Sequence, residues 1–188
     1  MLLRDYQQAA IDDLWAYFER GAKGNPLIVM PTGSGKSLCI AEVCRRAIAE
    51  HAPARLLVVT HRKELIEQDA AAIRRLWPDA PVGIYSAGLG QRQIRQVTVG
   101  GIQSIVKKPH LLGEVDLTIV DESHLVPTYD QGMYRTVIKA LQEANASLRV
   151  LGFTATPYRL SGGKLTSGRD RIFTSIAHEV QILPLIEA

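Results

Sequence analysis

The chain has 188 residues, 46% of them hydrophobic and 22% charged, enough apolar material for one core of ordinary domain size, which excludes a disordered or fibrous class. Its formal net charge of +3 permits a polyanionic partner without requiring one. No apolar run approaches the roughly 20 residues that cross a bilayer, and no basic segment precedes an apolar one at the start, so a cytoplasmic protein without membrane contact is expected.

Strand-like and helix-like segments alternate along the chain. Residues 4–20 place Ile11, Leu14, Trp15 and Phe18 at i, i+3, i+4 and i+7, which predicts an amphipathic helix. PLIVMPT predicts a short buried strand, followed by a helix that carries Cys39 and Cys44. Five positions apart on one helix, these thiols face different ways and cannot form a sound disulfide, so both are expected to be free. No cysteine or histidine pair has zinc-finger spacing. ARLLVVT predicts a strand and RKELIEQDAAAIRRLW a helix, closed by Pro78 and Pro81. VGIYS and QVTVGG follow as strands, IQSIVKK as a short helix and VDLTIVD as a strand. A helix over roughly residues 130–144 sets Met133, Val137 and Leu141 on one face, and LRVLGFTAT is the last clear strand. YSAGLGQRQ and residues 159–171 read as loops, and AHEVQILPLIEA holds an apolar, strand-like piece. Repeated strand–helix units of this length predict an α/β domain, three layers with a mainly parallel sheet between helices.

Two stretches carry chemistry. In LTIVDESHLV an apolar run that reads as buried on both faces ends in Asp121 and Glu122. Uncompensated buried charge is costly, so these acids need a partner. PTGSGKS, residues 31–37, stands where a strand hands over to a helix. Pro31, Thr32, Gly33, Ser34 and Gly35 can wrap a phosphate, with helix N-terminal amides as donors. Lys36 can reach the β- and γ-phosphates, and the Ser37 hydroxyl can take Mg²⁺. The general phosphate-loop pattern asks for glycine where this chain has Met30, so the turn must rest on Gly33 and Gly35. In such a fold a second strand ends near the phosphates with an acid on the metal. Asp121 takes that role through water, and Glu122 orients or deprotonates the attacking water. A glycine turn with an exposed lysine, and a pair of solvated loop acids, are the plain alternatives.

Together, PTGSGKS and DESH resemble the first RecA-like, ATP-binding domain of superfamily 2 helicases, the DEAD/DEAH-box group, over nearly the whole chain. LRDYQ is similar to the Q-type motif of that group, which implies that Gln7 bonds the adenine edge while Arg4 lies on its ring; Tyr6 is expected to pack. VVTHRKELIEQ and VGGIQS resemble motifs that hold one strand's sugar-phosphate backbone. That likeness implies nucleic-acid contacts for His61, Arg62, Lys63, Gly101, Gln103 and Ser104. GFTATPYRL resembles motif III, which implies that Thr154 and Thr156 couple nucleotide state to strand grip, with His124 as their motif II partner. Ser123 stands where the group usually has alanine or cysteine. LRDYQQAAID, THRKELIEQ, DESH and LGFTATPYRL together look closest to bacterial RadD-like DNA repair helicases. The resemblance implies ATP and Mg²⁺ as ligands and single-stranded nucleic acid, DNA rather than RNA, as a partner.

Such motors use two RecA-like domains, the second of which supplies an arginine finger. No second domain of that kind is legible in residues 1–188, so the chain is expected to be the N-terminal half of a longer protein, weak in hydrolysis alone. A small-molecule P-loop kinase and a non-catalytic interaction module are the competing classes. The basic and hydroxylic residues after LLVVT and QVTV speak against the kinase, and retention of Lys36, Asp121 and Glu122 speaks against the module.

Overall fold

A computed structural model describes residues 3–126, 132–159, 163–169 and 171–180. Helices α1 (Asp5–Glu19), α2 (Lys36–Glu50), α3 (Lys63–Leu76), α4 (Ile102–Ile105) and α5 (Met133–Ala144) accompany eight strands. The strands are β1 (Pro26–Val29), β2 (Leu56–Thr60), β3 (Val82–Ser86), β4 (Gln91–Arg92), β5 (Val97–Gly101), β6 (Leu117–Val120), β7 (Arg149–Thr154) and β8 (Ser175–Glu179). They form one sheet in the order β4-β3-β5-β2-β6-β7-β1-β8. Only the β3–β4 pair is antiparallel among the described residues.

The central strands are apolar throughout because each has two faces to cover. Alternate residues point to opposite sides of a sheet. Ile28, Leu56, Val58, Val99 and Ile119 meet the apolar stripes of α1, α2 and α3, where Ile11, Leu14, Ile40 and Ile73 are buried. Leu27, Leu57, Val59 and Val120 face the other way, onto Ile102 and Ile105 of α4 and Val137, Ile138 and Leu141 of α5. The result is the three-layer α/β domain that the alternation of segments predicts, and the fold of RecA-like helicase domains. Cys39 and Cys44 are both buried free thiols on α2.

Several local readings change. YSAGLGQRQ is not wholly a loop: it holds a short 3₁₀ turn at Ala87–Leu89 and the two-residue β4. The buried stripe of α5 is Tyr134, Val137, Ile138 and Leu141, and Met133 is exposed at the first turn. Residues 130 and 131, given to that helix from sequence, lie outside the described residues. β7 is not the last strand. β8 pairs with β1 along the sheet edge, while ILPLI at the end of the chain lies outside the described residues. Within the 159–171 stretch, residues 163–169 are anchored: Lys164 is bridged by Tyr158, and Leu165 is fully buried. Residues 160–162 and 170 of that segment lie outside the described residues. Among the described residues no helix is long and apolar enough to cross a membrane.

Strand order positions the chemistry. β7 lies between β6 and β1, so the carboxyl ends of these three neighbours bring Asp121, Thr154 and the turn after β1 to one edge. That edge is where ligands bind in open parallel sheets. Gly152 makes the crowding possible, because a Cβ there would run into Ser123 Oγ, Leu27 and the Phe173 ring. Replacing it with Gly152→Ala is expected to cost about 1–3 kcal/mol of stability, read as a lowered urea midpoint, since the wedge meets packed side chains on every side.

Candidate active site

The turn after β1 is built by two glycines. Gly33 (φ 81°) and Gly35 (φ 82°) take left-handed conformations that disfavour side chains. Met30 is fully buried, and its N–H donates to Thr154 O at 2.9 Å, so the strand ladder continues through it. The turn therefore rests on Gly33 and Gly35, as the missing first glycine requires. Gly35 caps α2, which leaves the first amides of α2 without helical acceptors. Ser34 Oγ donates to Pro31 O at 2.6 Å and tightens the loop.

α1 clamps this turn from outside. Gln7 is 4% exposed; its Nε2 donates to Ser34 O at 2.8 Å, and its Oε1 accepts from Arg4 N at 2.9 Å. Tyr6 does more than pack, because its hydroxyl donates to the same Ser34 carbonyl at 3.0 Å. A Cβ on Gly35 would collide with the Gln7 amide. A cleft of about 400 Å³ opens here, lined by Arg4, Gln7, Gly33 and Ser37, with Gln68 and Arg75 of α3 on its far wall.

Lys36 and the acids meet across the sheet edge. Lys36 Nζ lies 3.5 Å from Met30 O and 3.6 Å from Glu122 Oε1. Glu122 has φ 52°, the one left-handed non-glycine backbone among the described residues, and in that conformation its carboxylate meets Lys36. Asp121 is 2% exposed, its N–H donates to Val59 O at 3.0 Å, and its Oδ1 has no hydrogen-bond partner. Burial and the Glu122 carboxylate raise the Asp121 carboxyl from 3.8 to about 6, against the Glu122 amide and the Lys36 charge. Tyr134, buried on α5 with its hydroxyl unpartnered, is pushed up by burial and by Asp121.

His124 ties the acids to β7. Thr154 Oγ1 donates to Thr156 O at 2.9 Å, so it must accept from His124 Nδ1 at 3.2 Å. The same Nδ1 lies 3.3 Å from Glu122 Oε2. Ser123 is buried and donates its Oγ proton to Val120 O at 2.9 Å.

Residues expected from the sequence to contact nucleic acid stand together at the ends of β2 and β5. Thr60 at the end of β2 is in register with Gly101 at the end of β5. Gln103 Nε2 donates to His61 O at 3.1 Å, and Arg62 Nε donates to His61 Nε2 at 3.1 Å. Ser104 Oγ accepts from Ala87 N at 2.9 Å, and the Lys63 stem lies against Gly88. His61 is shifted down by burial, by Arg62 and by His124, and up by Glu122, so this rim feels the Glu122 carboxylate.

Asp69, which no sequence motif singles out, is fully buried on α3, and burial and Asp121 raise its carboxyl well above the usual range, against the Ser37 hydroxyl. Gln68, beside it, donates Nε2 to Ser37 Oγ at 2.9 Å.

The oxygen donors suit Mg²⁺. Ser37 Oγ and the unpartnered Asp121 Oδ1 are hard ligands. Among the described residues no group of three or more His, Cys, Asp or Glu side chains could hold an ion.

The raised Asp121 carboxyl has a measurable consequence. A folded chain that holds this proton more tightly than the unfolded one is favoured below about pH 4 and loses that advantage as pH rises through about 6. Asp121→Asn should therefore be more stable than the parent chain by on the order of 2–3 kcal/mol near pH 8, with the gap closing near pH 4, in urea melts.

Known proteins resemble this chain in sequence and fold. IRC3 of Saccharomyces cerevisiae is 27% identical over 184 residues, covering 91% of this chain and 26% of that protein. The ATP-dependent RNA helicase DHX58 of Mus musculus is 26% identical over 203 residues, covering 95% of this chain and 28% of that one. The chain thus spans about a quarter of the length of these curated relatives. The crystal structure of the UvsW helicase from bacteriophage T4 superposes with a TM-score of 0.69 at 22% identity, over 95% of this chain and 60% of that one. A family model described as Type III restriction enzyme, res subunit, matches residues 1–159, and the chain belongs to that family.

Proposed function

We propose that this chain is the ATP-binding and hydrolysing half of a superfamily 2 DNA helicase or translocase. The observation that carries this reading is the meeting of Lys36 and Glu122 at 3.6 Å, beside the glycine turn and the buried Asp121. In this reading Pro31, Thr32, Gly33, Ser34 and Gly35 wrap the phosphates, and Lys36 leaves Glu122 to pair with the β- and γ-phosphates. Arg4 and Gln7 receive the adenine at the mouth of the cleft. Ser37 and Asp121 would hold Mg²⁺, which neutralises phosphate charge when bound. Glu122 then accepts the proton of the attacking water. His124, Thr154 and Thr156 carry the change at Glu122 to β7.

His61, Arg62, Lys63, Gly101, Gln103 and Ser104 form the groove rim for a single strand's backbone, without reading its sequence. DNA is favoured over RNA by the likeness of LRDYQQAAID, THRKELIEQ and DESH to RadD-like DNA repair helicases, which also suggests repair as the setting. A second RecA-like domain of the whole protein completes the site with an arginine finger; the short span of the relatives covered supports this. Alone, the domain binds nucleotide weakly and turns it over slowly, since an absent finger typically lowers the rate by roughly 10³–10⁵.

Three measurements test the proposal. Lys36→Ala should weaken ATP binding without lowering the melting temperature; a collapse in melting with unchanged affinity would make Lys36 structural. Glu122→Gln should keep nucleotide affinity and lower turnover by roughly 10²–10⁴. Single-stranded DNA should bind with affinity that falls steeply between roughly 50 and 200 mM salt, and more tightly than RNA of the same sequence. Tighter RNA binding would assign an RNA helicase, and salt-insensitive binding of a small phosphoacceptor a kinase.

A further inference from the structure

The segment after β7 turns an aromatic ring outward. Tyr158 is 51% exposed, and among the described residues no second ring or cation lies against it. Backbone geometry explains why. Arg159 N donates to Gly163 O at 3.0 Å and Leu165 N donates to Pro157 O at 2.8 Å, which frames Tyr158 and Lys164 as an antiparallel pair. Hydrogen bonds that flank a pair rather than join it mark the closer kind, with both side chains on one face. Their neighbours take the other face. Leu165 enters the core that α5 covers, and the Arg159 guanidinium donates to Lys164 O at 2.7 Å and to Leu165 O at 3.4 Å. A buried leucine and a braced arginine thus fix the inner side of a short ladder whose outer side offers one ring and one ammonium.

Charge and place say what such a face takes. Residues 156–171 hold Arg159, Lys164, Arg169 and Arg171 against the single acid Asp170, a net +3 that equals the formal charge of the whole chain. The remainder of the chain is balanced, so this segment is where a polyanion is drawn. β7 delivers it to the carboxyl edge of the sheet, with only β6 between β7 and β2. Its root therefore lies roughly 10 Å from the end of β2, where the His61 rim begins. Tyr158 N donates to Thr156 Oγ1 at 3.3 Å and fastens the ladder there. Bases within a duplex are already stacked on one another, whereas an unpaired base can lie on an exposed ring.

On the strand-binding reading above, on which this step rests, we propose that Tyr158 and Lys164 form a further contact for single-stranded nucleic acid: one unpaired base stacks on the Tyr158 ring while Lys164 meets the adjoining phosphate. The rim residues are assigned to the sugar-phosphate backbone, and Tyr158 takes a base. A ring accepts any base, so this contact adds affinity without reading sequence.

Fluorescence anisotropy of a labelled oligothymidylate of about 15 nucleotides, titrated with the 188-residue chain, reads this contact. Tyr158→Ala should weaken binding by roughly 5–100-fold, and Tyr158→Phe should stay within about twofold of the parent chain. On an abasic oligonucleotide of the same length, the parent chain and Tyr158→Ala should bind alike, because no base is left to stack. Lys164→Ala should lower the slope of log affinity against log salt by about 0.7; an unchanged slope would strike Lys164 from the site. Circular dichroism melts check folding, and Tyr158→Leu, which keeps bulk and removes the ring, replaces the Ala variant if that one fails to fold. Thymidylate affinity of Tyr158→Ala within about twofold of the parent chain, or an equal loss on the abasic strand, would overturn the stacking site and leave the rim reading standing. A parent chain that binds neither oligonucleotide at roughly 50 mM salt would overturn the strand reading and this step together.

Discussion

Negative charge crowded out of water is the constraint on which this domain is built. Asp69 and Asp121 are almost fully buried, and Glu122 leans in beside them. Lys36 Nζ lies 3.6 Å from Glu122 Oε1, and His124 Nδ1 lies 3.3 Å from its Oε2. Such an arrangement is unfavourable by itself and becomes favourable with a divalent cation and phosphates, whose charges complement one another. The left-handed backbone at Glu122 belongs to the same logic: a residue held in a sparsely populated conformation persists where the surrounding contacts dictate it.

The remaining architecture delivers these groups to one place. β7 separates the strand that leads into the glycine turn from the strand that ends in Asp121. Its Thr154 lies beside both, accepting from His124 while its carbonyl accepts from Met30. The phosphate turn and the acid pair therefore share one strand as a common wall. On the other flank, β2 and β5 end at Thr60 and Gly101, and the basic rim begins within a residue of them. His61 joins the two regions, its ring held by Arg62 and its titration touched by Glu122 and His124.

Much of this was legible in the amino-acid order. Long apolar strands and striped helices declare themselves because burial imposes a period, and the glycine turn declares itself because two left-handed positions require glycine. The parts that were not legible lack those signals. β8 is an edge strand whose side chains are all partly covered or exposed, so backbone pairing with β1 defines it and no apolar rhythm does. β4 is two residues long, shorter than any pattern. Met133 looked like part of the α5 stripe, but the helix begins there and Met133 itself is exposed while Tyr134, the next residue, is buried. Asp69 was hidden for the opposite reason: within RKELIEQDAAAIRRL it is one charge among many, and only the packing of α3 against α2 shows which of them points inward.

The bracket that Gln7 forms has a further consequence. One amide side chain fastens the start of the first helix to the Ser34 carbonyl and leaves no space for a Cβ on Gly35. The start of α1 and the glycine turn are thus fastened to one another. On the nucleotide reading proposed above, a base received at one end would be felt in the posture of the loop at the other, so choice among nucleotides would depend on that posture as much as on direct contact.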